Sequence, residues 1–158
     1  MNAKPKLPSS DDVEAIIARH SHREGPLLPI LHDLQAEFGH VPQMAVPVLA
    51  ESLNIGRAEV HGVISFYHDF RDAPAGRHVV KICRAEACQS VGANALADHA
   101  LAKLGGEWHM TTPNGNITVE PVYCLGLCAC GPAIMVDGQL EGRVDAARMD
   151  EILSECGA

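Results

Sequence analysis

The chain has 158 residues and a formal net charge of -8, with 12 Lys and Arg against 20 Asp and Glu. That balance argues against nucleic acid or an anionic membrane as the main partner. Hydrophobic residues make up 47% and charged residues 20%, a globular mixture that excludes wholesale disorder and allows one domain or two small ones. The opening MNAKPKLPSSDD has no apolar stretch behind its lysines, so no secretory signal is expected and the location is read as cytoplasmic. No apolar run approaches the roughly 20 residues that cross a bilayer.

Residues 1–75 read as an N-terminal helical region. Residues 1–10 look like a frayed tail, with Ser10 capping a helix through Val13, Ile16 and Ile17. A second helix is expected from Pro26 to Phe38, with Gly39 ending it in a left-handed conformation. A third covers about Gln43 to Leu53, and a fourth runs from about Gly56 to Phe70. Phe66, Tyr67 and Phe70 hold three of six aromatic residues, and a small bundle has no way to bury both faces of such a cluster alone. Part of it is expected to pack on the second half or on a partner.

The segment DAPAGR (72–77) reads as a hinge, and residues 76–158 as a second domain. HVVKIC (78–83) alternates and is β-branched, which predicts a strand. A helix is expected over 88–104, ended by Gly105 and Gly106. Strands are expected over 107–111 and 117–123, around the turn TPNGN, and again over AIMVDG. Asp145 caps a closing helix. The order β-α-β-β-β-α describes a small α/β sandwich with a mixed sheet.

All six cysteines lie in this second half. In a reducing compartment they point to a metal or redox site rather than to disulfides. Cys83 and Cys88 form one pair in CRAEAC, and Cys124 and Cys128 form another in CLGLC. Each pair follows a predicted strand, so two loops at one end of a sheet can converge their thiolates. Four soft thiolates are what a [2Fe–2S] cluster requires, two per iron. The chain has no C-x2-C hook of the kind common in structural zinc sites, and thioredoxin-type dithiol exchange lacks its motif too. A zinc-stabilised interaction module and a set of buried structural thiols are the competing readings. Gly126 and Gly131 allow a tight loop that turns N–H groups toward sulfur, and Pro132 stiffens the loop exit. Arg84 reads as a solvated surface arginine or as an offset to cluster charge. Cys130 reads as a buried thiol rather than a ligand, and Cys156 as incidental near a frayed end. His20 and His22 read as solvated surface, and His61 and His68 as polar groups beside the aromatic cluster. No catalytic nucleophile and no nucleotide-binding loop stand out.

The run ILHDLQAEFGHVPQMAVPVLAESLNIGRAEVHGVISFYHDF resembles the helical N-terminal part of the complex I 24-kDa subunit family. CRAEACQSVGA followed by CLGLCACGPAIMVDG resembles that family's thioredoxin-like [2Fe–2S] ferredoxin domain, and the likeness covers about residues 12–153. Within the family, CRAEACQS is most similar to the gamma subunit of NAD-dependent, molybdenum-containing formate dehydrogenases. The resemblance implies an α+β fold, a helical region followed by a thioredoxin-like mixed-sheet domain. It implies one [2Fe–2S] cluster on Cys83, Cys88, Cys124 and Cys128. It also implies a partner: a diaphorase subunit that holds FMN and NAD(H), with a larger molybdenum formate dehydrogenase subunit beyond it. The equivalent subunit of NADH-quinone oxidoreductase or of an NAD-reducing hydrogenase is the alternative. The chain itself would be a non-catalytic electron-transfer subunit of an oxidoreductase. A free-standing ferredoxin is the third possibility, and the long helical arm argues against it.

Overall fold

The computed structural model describes residues 7–158, so the tail reading for residues 1–6 lies outside the described residues. The chain divides into two compact units between Pro74 and Ala75. None of the described helices is long and apolar enough to cross a membrane.

The first unit is helical: α1 (Ser10–His20), α2 (Leu27–Phe38), α3 (Ala45–Leu53) and α4 (Arg57–Phe66). Ser9, not Ser10, is the cap of α1. Its side chain accepts from the Asp12 N–H, while the Asp12 carboxylate accepts from the Ser9 N–H, which satisfies orphan donors at both ends of the box. Gly39 ends α2 at φ 77, as its position after the last apolar residue implies. Ile16, Ile30, Leu34, Phe38 and Leu49 recur at helical spacing and form a core closed to water.

The fourth helix is shorter than its apolar pattern suggests. It stops at Phe66, because Tyr67 takes an extended backbone and the chain turns back. The Gln35 side chain clamps that turn, donating to the Asp69 carbonyl at 2.6 Å and accepting from the Arg71 N–H at 2.7 Å. The turn folds Phe70 into the helical core, where its ring lies 5.0 Å from that of His32. Phe66 and Tyr67 stay outside, 73% and 44% exposed. His20 is buried rather than solvated, with Nε2 2.8 Å from the Asp33 carboxylate, which it holds below the usual carboxylate range. His22, His61 and His68 are exposed.

The second unit carries a four-stranded mixed sheet in the order β2-β1-β3-β4. Its strands are β1 (His78–Cys83), β2 (Ile117–Val122), β3 (Ala133–Val136) and β4 (Gln139–Gly142). β1 runs parallel to β2 and antiparallel to β3, and β3 pairs antiparallel with β4. The helices are α5 (Glu86–Ser90), α6 (Ala93–Leu104) and α7 (Ala146–Glu155). Val80, Ile82, Ile117, Val119 and Ile134 form one core with apolar residues of α6 and α7. The period-2 alternation of the strands puts these side chains on one sheet face.

Three expectations for this unit are corrected. The helix expected over 88–104 is two helices, broken at Gly92 with φ 99, and the break leaves Val91 on the surface. Residues 107–111 form no strand. His109 turns to φ 66, and only Thr111 makes a single bridge, to Thr118. The fourth strand is instead Gln139–Gly142, reached through Asp137 and Gly138, both at positive φ as a tight primed hairpin turn requires. Asp145 caps α7 by accepting from the Arg148 N–H. Cys156 is not at a frayed end: it is buried in the core, and burial together with Asp137 and Glu155 pushes its thiol up.

Candidate metal centre

Parallel pairing decides where the cysteines go. Cys83 and Val122 end β1 and β2 and stand opposite each other, so the loops that follow leave the sheet at the same edge. The ladder extends one step further, with the Arg84 N–H donating to the Val122 carbonyl at 2.7 Å. The first loop turns into α5, which carries Cys88 back against Cys83. The second loop returns through a 3-10 turn, Cys128–Cys130, and enters β3 at Ala133 beside β1. Cys83, Cys88, Ala93 and Ala133 make a small buried cluster of their own.

Gly131 closes the gap between the loops. Its backbone is not left-handed, so proximity rather than φ explains it. A Cβ there would meet the Val91 Cγ2 at 2.8 Å and the Cys88 Sγ at 3.4 Å. Gly126 does use the left-handed region, with φ 80, and Cys124 shares it at φ 91, uncommon for a residue with a side chain. These turns direct peptide N–H groups at sulfur. The Gly126 N–H donates to the Cys124 Sγ at 3.4 Å. The N–H groups of Cys124 and Leu125 reach across to Cys83.

The four thiols differ in environment. Cys83 and Cys88 are buried, while Cys124 and Cys128 are exposed. Burial opposes ionisation of Cys83. The Ala85 N–H, the Cys88 thiol and the N–H groups of Cys124 and Leu125 outweigh it, and hold Cys83 below the usual thiol range. Burial and the adjacent Cys83 push Cys88 up, against one N–H from Ala133. Cys128 is raised by its contact with Cys124 and the charge there.

A soft-metal cluster fits this donor set. Two thiolates bound at about 2.3 Å to one tetrahedral metal stand roughly 3.8 Å apart, and the Sγ atoms of Cys124 and Cys128 are 3.7 Å apart. Among the described residues, no three His, Cys, Asp or Glu side chains converge on a point that a single ion would occupy. Two pairs suit a binuclear iron–sulfur cluster better than one tetrahedral zinc. Cys130 lies half-buried, with its carbonyl accepting from the Arg143 N–H at 2.6 Å and its Cβ against Gly142. Sequence reasoning expected the glycine turns to aim N–H groups at sulfur, and the Gly126 N–H does so, but it did not find the donors from Cys124 and Leu125 to Cys83. Those depend on φ at Cys124, and no residue type announces a left-handed cysteine.

Comparison with known proteins agrees with this chemistry. The model of the thioredoxin-like [2Fe-2S] ferredoxin family matches residues 13–157. The chain is 34% identical over 143 residues to an E-type NADH-quinone oxidoreductase subunit of Rhizobium meliloti (strain 1021), covering 90% of this chain and 85% of the relative. It is 30% identical to the HndA subunit of the NADP-reducing hydrogenase of Solidesulfovibrio fructosivorans, covering 91% of this chain and 84% of the relative. Among solved structures, an NAD+-reducing [NiFe]-hydrogenase in the air-oxidized state superposes with a TM-score of 0.68 at 25% identity. That match covers 83% of this chain but 22% of the hydrogenase chain, so the likeness spans about a fifth of the larger protein. The chain belongs to the thioredoxin-like [2Fe–2S] ferredoxin family, on the side of the complex I 24-kDa-like subunits, and carries one [2Fe–2S] cluster.

Proposed function

We propose that Cys83, Cys88, Cys124 and Cys128 hold the cluster, two per iron, and that this chain is the electron-transfer subunit of a cytoplasmic NAD-linked oxidoreductase complex. The observation that carries the reading is the meeting of two thiol pairs at one sheet edge, with peptide N–H groups aimed at the sulfurs. When bound, such a cluster supplies a one-electron couple, suited to a flavin that exchanges electron pairs with NAD. The chain's own part is to orient four thiolates, to hold two of them away from water, and to donate hydrogen bonds that stabilise negative charge on sulfur. FMN and NAD(H) are assigned to a diaphorase partner subunit.

Within that class, CRAEACQS supports an NAD-dependent formate dehydrogenase, with a larger molybdenum subunit holding the formate site. The names of the relatives favour a second reading, the equivalent subunit of NADH-quinone oxidoreductase or of an NAD-reducing hydrogenase. Iron, sulfide and zinc counts with low-temperature EPR test the cluster. Two irons and two sulfides per chain are expected, silent as oxidised and rhombic S = 1/2 after dithionite. One zinc and no signal would move the assignment to a structural module. Affinity isolation of the native complex separates the parent enzymes. Molybdenum and formate-dependent NAD reduction support the first, and nickel or quinone reduction the second.

A further inference from the structure

Arg84 follows Cys83 directly and is held from both sides of its own backbone. Its N–H donates to the Val122 carbonyl at 2.7 Å, and its carbonyl accepts from the Gln89 Nε2 at 2.7 Å. The residue is half-buried, its guanidinium carbon lies 5.4 Å from the centre of the Trp108 ring, and its Nε is buried without a hydrogen-bond partner. Trp108 in turn packs on the core of the second unit, the core of Val80, Ile82 and Leu96.

The absence of a counter-charge is the informative feature. The chain has 20 Asp and Glu, and among the described residues none forms an ion pair with Arg84. By contrast Lys103 pairs with Asp150 at 2.8 Å, and Arg148 with Glu141 at 2.6 Å. Taking a cation partly out of water without a partner is unfavourable. A cation–π contact with the indole ring recovers part of that cost. One residue along the chain is a site that must hold four thiolates, two irons and two sulfides, with a formal charge of about -2 when oxidised and -3 when reduced.

We propose that Arg84, braced on Trp108, is the built-in counter-charge of the cluster and raises its reduction potential by favouring the more negative state. The proposal rests on the assignment of the cluster to the four cysteines. Among the described residues Arg84 makes no hydrogen bond to a cysteine sulfur. It acts through the protein interior, where charges are screened less than in water. It is a tuning residue rather than a ligand.

The test is an anaerobic redox titration of the full-length, cluster-loaded protein, followed by EPR, beside the same titration of variants. At the wild-type midpoint, Arg84→Gln is expected to lower the ratio of reduced to oxidised cluster about tenfold, equivalent to 59 mV for one electron. Arg84→Lys keeps the charge and holds the ratio within about threefold of wild type. Trp108→Leu frees the guanidinium to swing outward and falls between the two. Lys103→Gln removes an equal charge from a pair with Asp150 and leaves the midpoint in place. A loaded Arg84→Gln protein with an unmoved midpoint overturns the proposal, and so does an equal shift in Lys103→Gln. Should Arg84→Gln lose the cluster, Arg84→Lys and Trp108→Leu decide, and an unmoved Trp108→Leu midpoint overturns the proposal. A wild-type chain without two irons overturns the cluster assignment itself, a different and separately visible result.

Discussion

Cys83 and Cys88 lie in the interior of the second unit, whereas Cys124 and Cys128 lie at its surface. The first loop is anchored by a strand on one side and a helix on the other. The second is a chain of turns with two residues in the left-handed region, Cys124 and Gly126. Thiolate chemistry is the same in both, but the electrostatic requirement differs. A buried thiolate loses water and needs fixed donors in its place, and Cys83 receives the N–H groups of Ala85, Cys124 and Leu125. An exposed thiolate keeps its water, and Cys124 shows one peptide donor, Gly126. The strained second loop thus serves the first, since its left-handed turn aims donors at a sulfur on the other strand.

The largest effect should come from breaking the inner pair. Cys88→Ser is expected to bring iron and sulfide close to zero per chain, because a serine oxygen there has neither water nor enough donors to ionise. Cys124→Ser should retain a measurable fraction of the iron with altered absorption. Full iron and an unchanged spectrum in Cys124→Ser would remove that residue from the ligand set.

Next in size is the support beneath the second loop. A Cβ at Gly142 would lie 2.7 Å from the Cys130 carbonyl oxygen and 3.0 Å from its Cβ. Gly142→Ala must therefore displace the 3-10 turn, at a cost of about 2 kcal/mol in urea unfolding. An unshifted midpoint would show that the turn is free to move.

A smaller contrast concerns thiol reactivity in cluster-free protein. A bulky alkylating reagent, located by peptide mass spectrometry, should modify Cys124 and Cys128 before Cys83, Cys88 and Cys156. At Cys128 the rate should still climb as pH passes the usual thiol value of 9.0, because the neighbouring Cys124 holds its pKa above that value. Equal labelling of the inner and outer pairs would erase the comparison.

The smallest effect lies away from the loops. Arg148 holds Glu141 through Nε at 2.6 Å and Nη2 at 3.2 Å, and keeps its carboxyl below the usual value of 4.5. A depressed folded pKa gives stability that is complete above the unfolded value and is lost as pH falls through the folded one. Glu141→Gln should therefore cost roughly 0.5 kcal/mol near pH 7 and nothing once pH is well below both values. A loss that persists at low pH would point to packing instead of charge.

Local pattern carried much of the fold. The ranges of α2 and β1, the glycine stop at Gly39 and the cap at Asp145 follow from spacing and residue type. It failed where two local signals competed. Val91 fits an apolar helix stripe, yet Gly92 interrupts that stripe, and the backbone freedom of glycine prevailed. Phe70 continues the period of α4, but the Gln35 clamp and the buried position of its ring reward a turn instead. His20 reads as a surface residue until Asp33, distant in sequence, arrives beside it.

From residue order alone, the chain determined most of its helices and strands, the placement of all six cysteines in the second half, and the grouping of four into two loop pairs. Those properties depend on neighbours a few positions away. Tertiary structure decided which thiols are buried, which N–H groups face them, that Cys156 belongs to the core, and that Arg84 rests on Trp108. Each of these joins residues far apart in the sequence through strand pairing, helix packing or a loop conformation. Burial and electrostatic environment are set by whichever groups the completed fold brings together, and local periodicity carries no record of them.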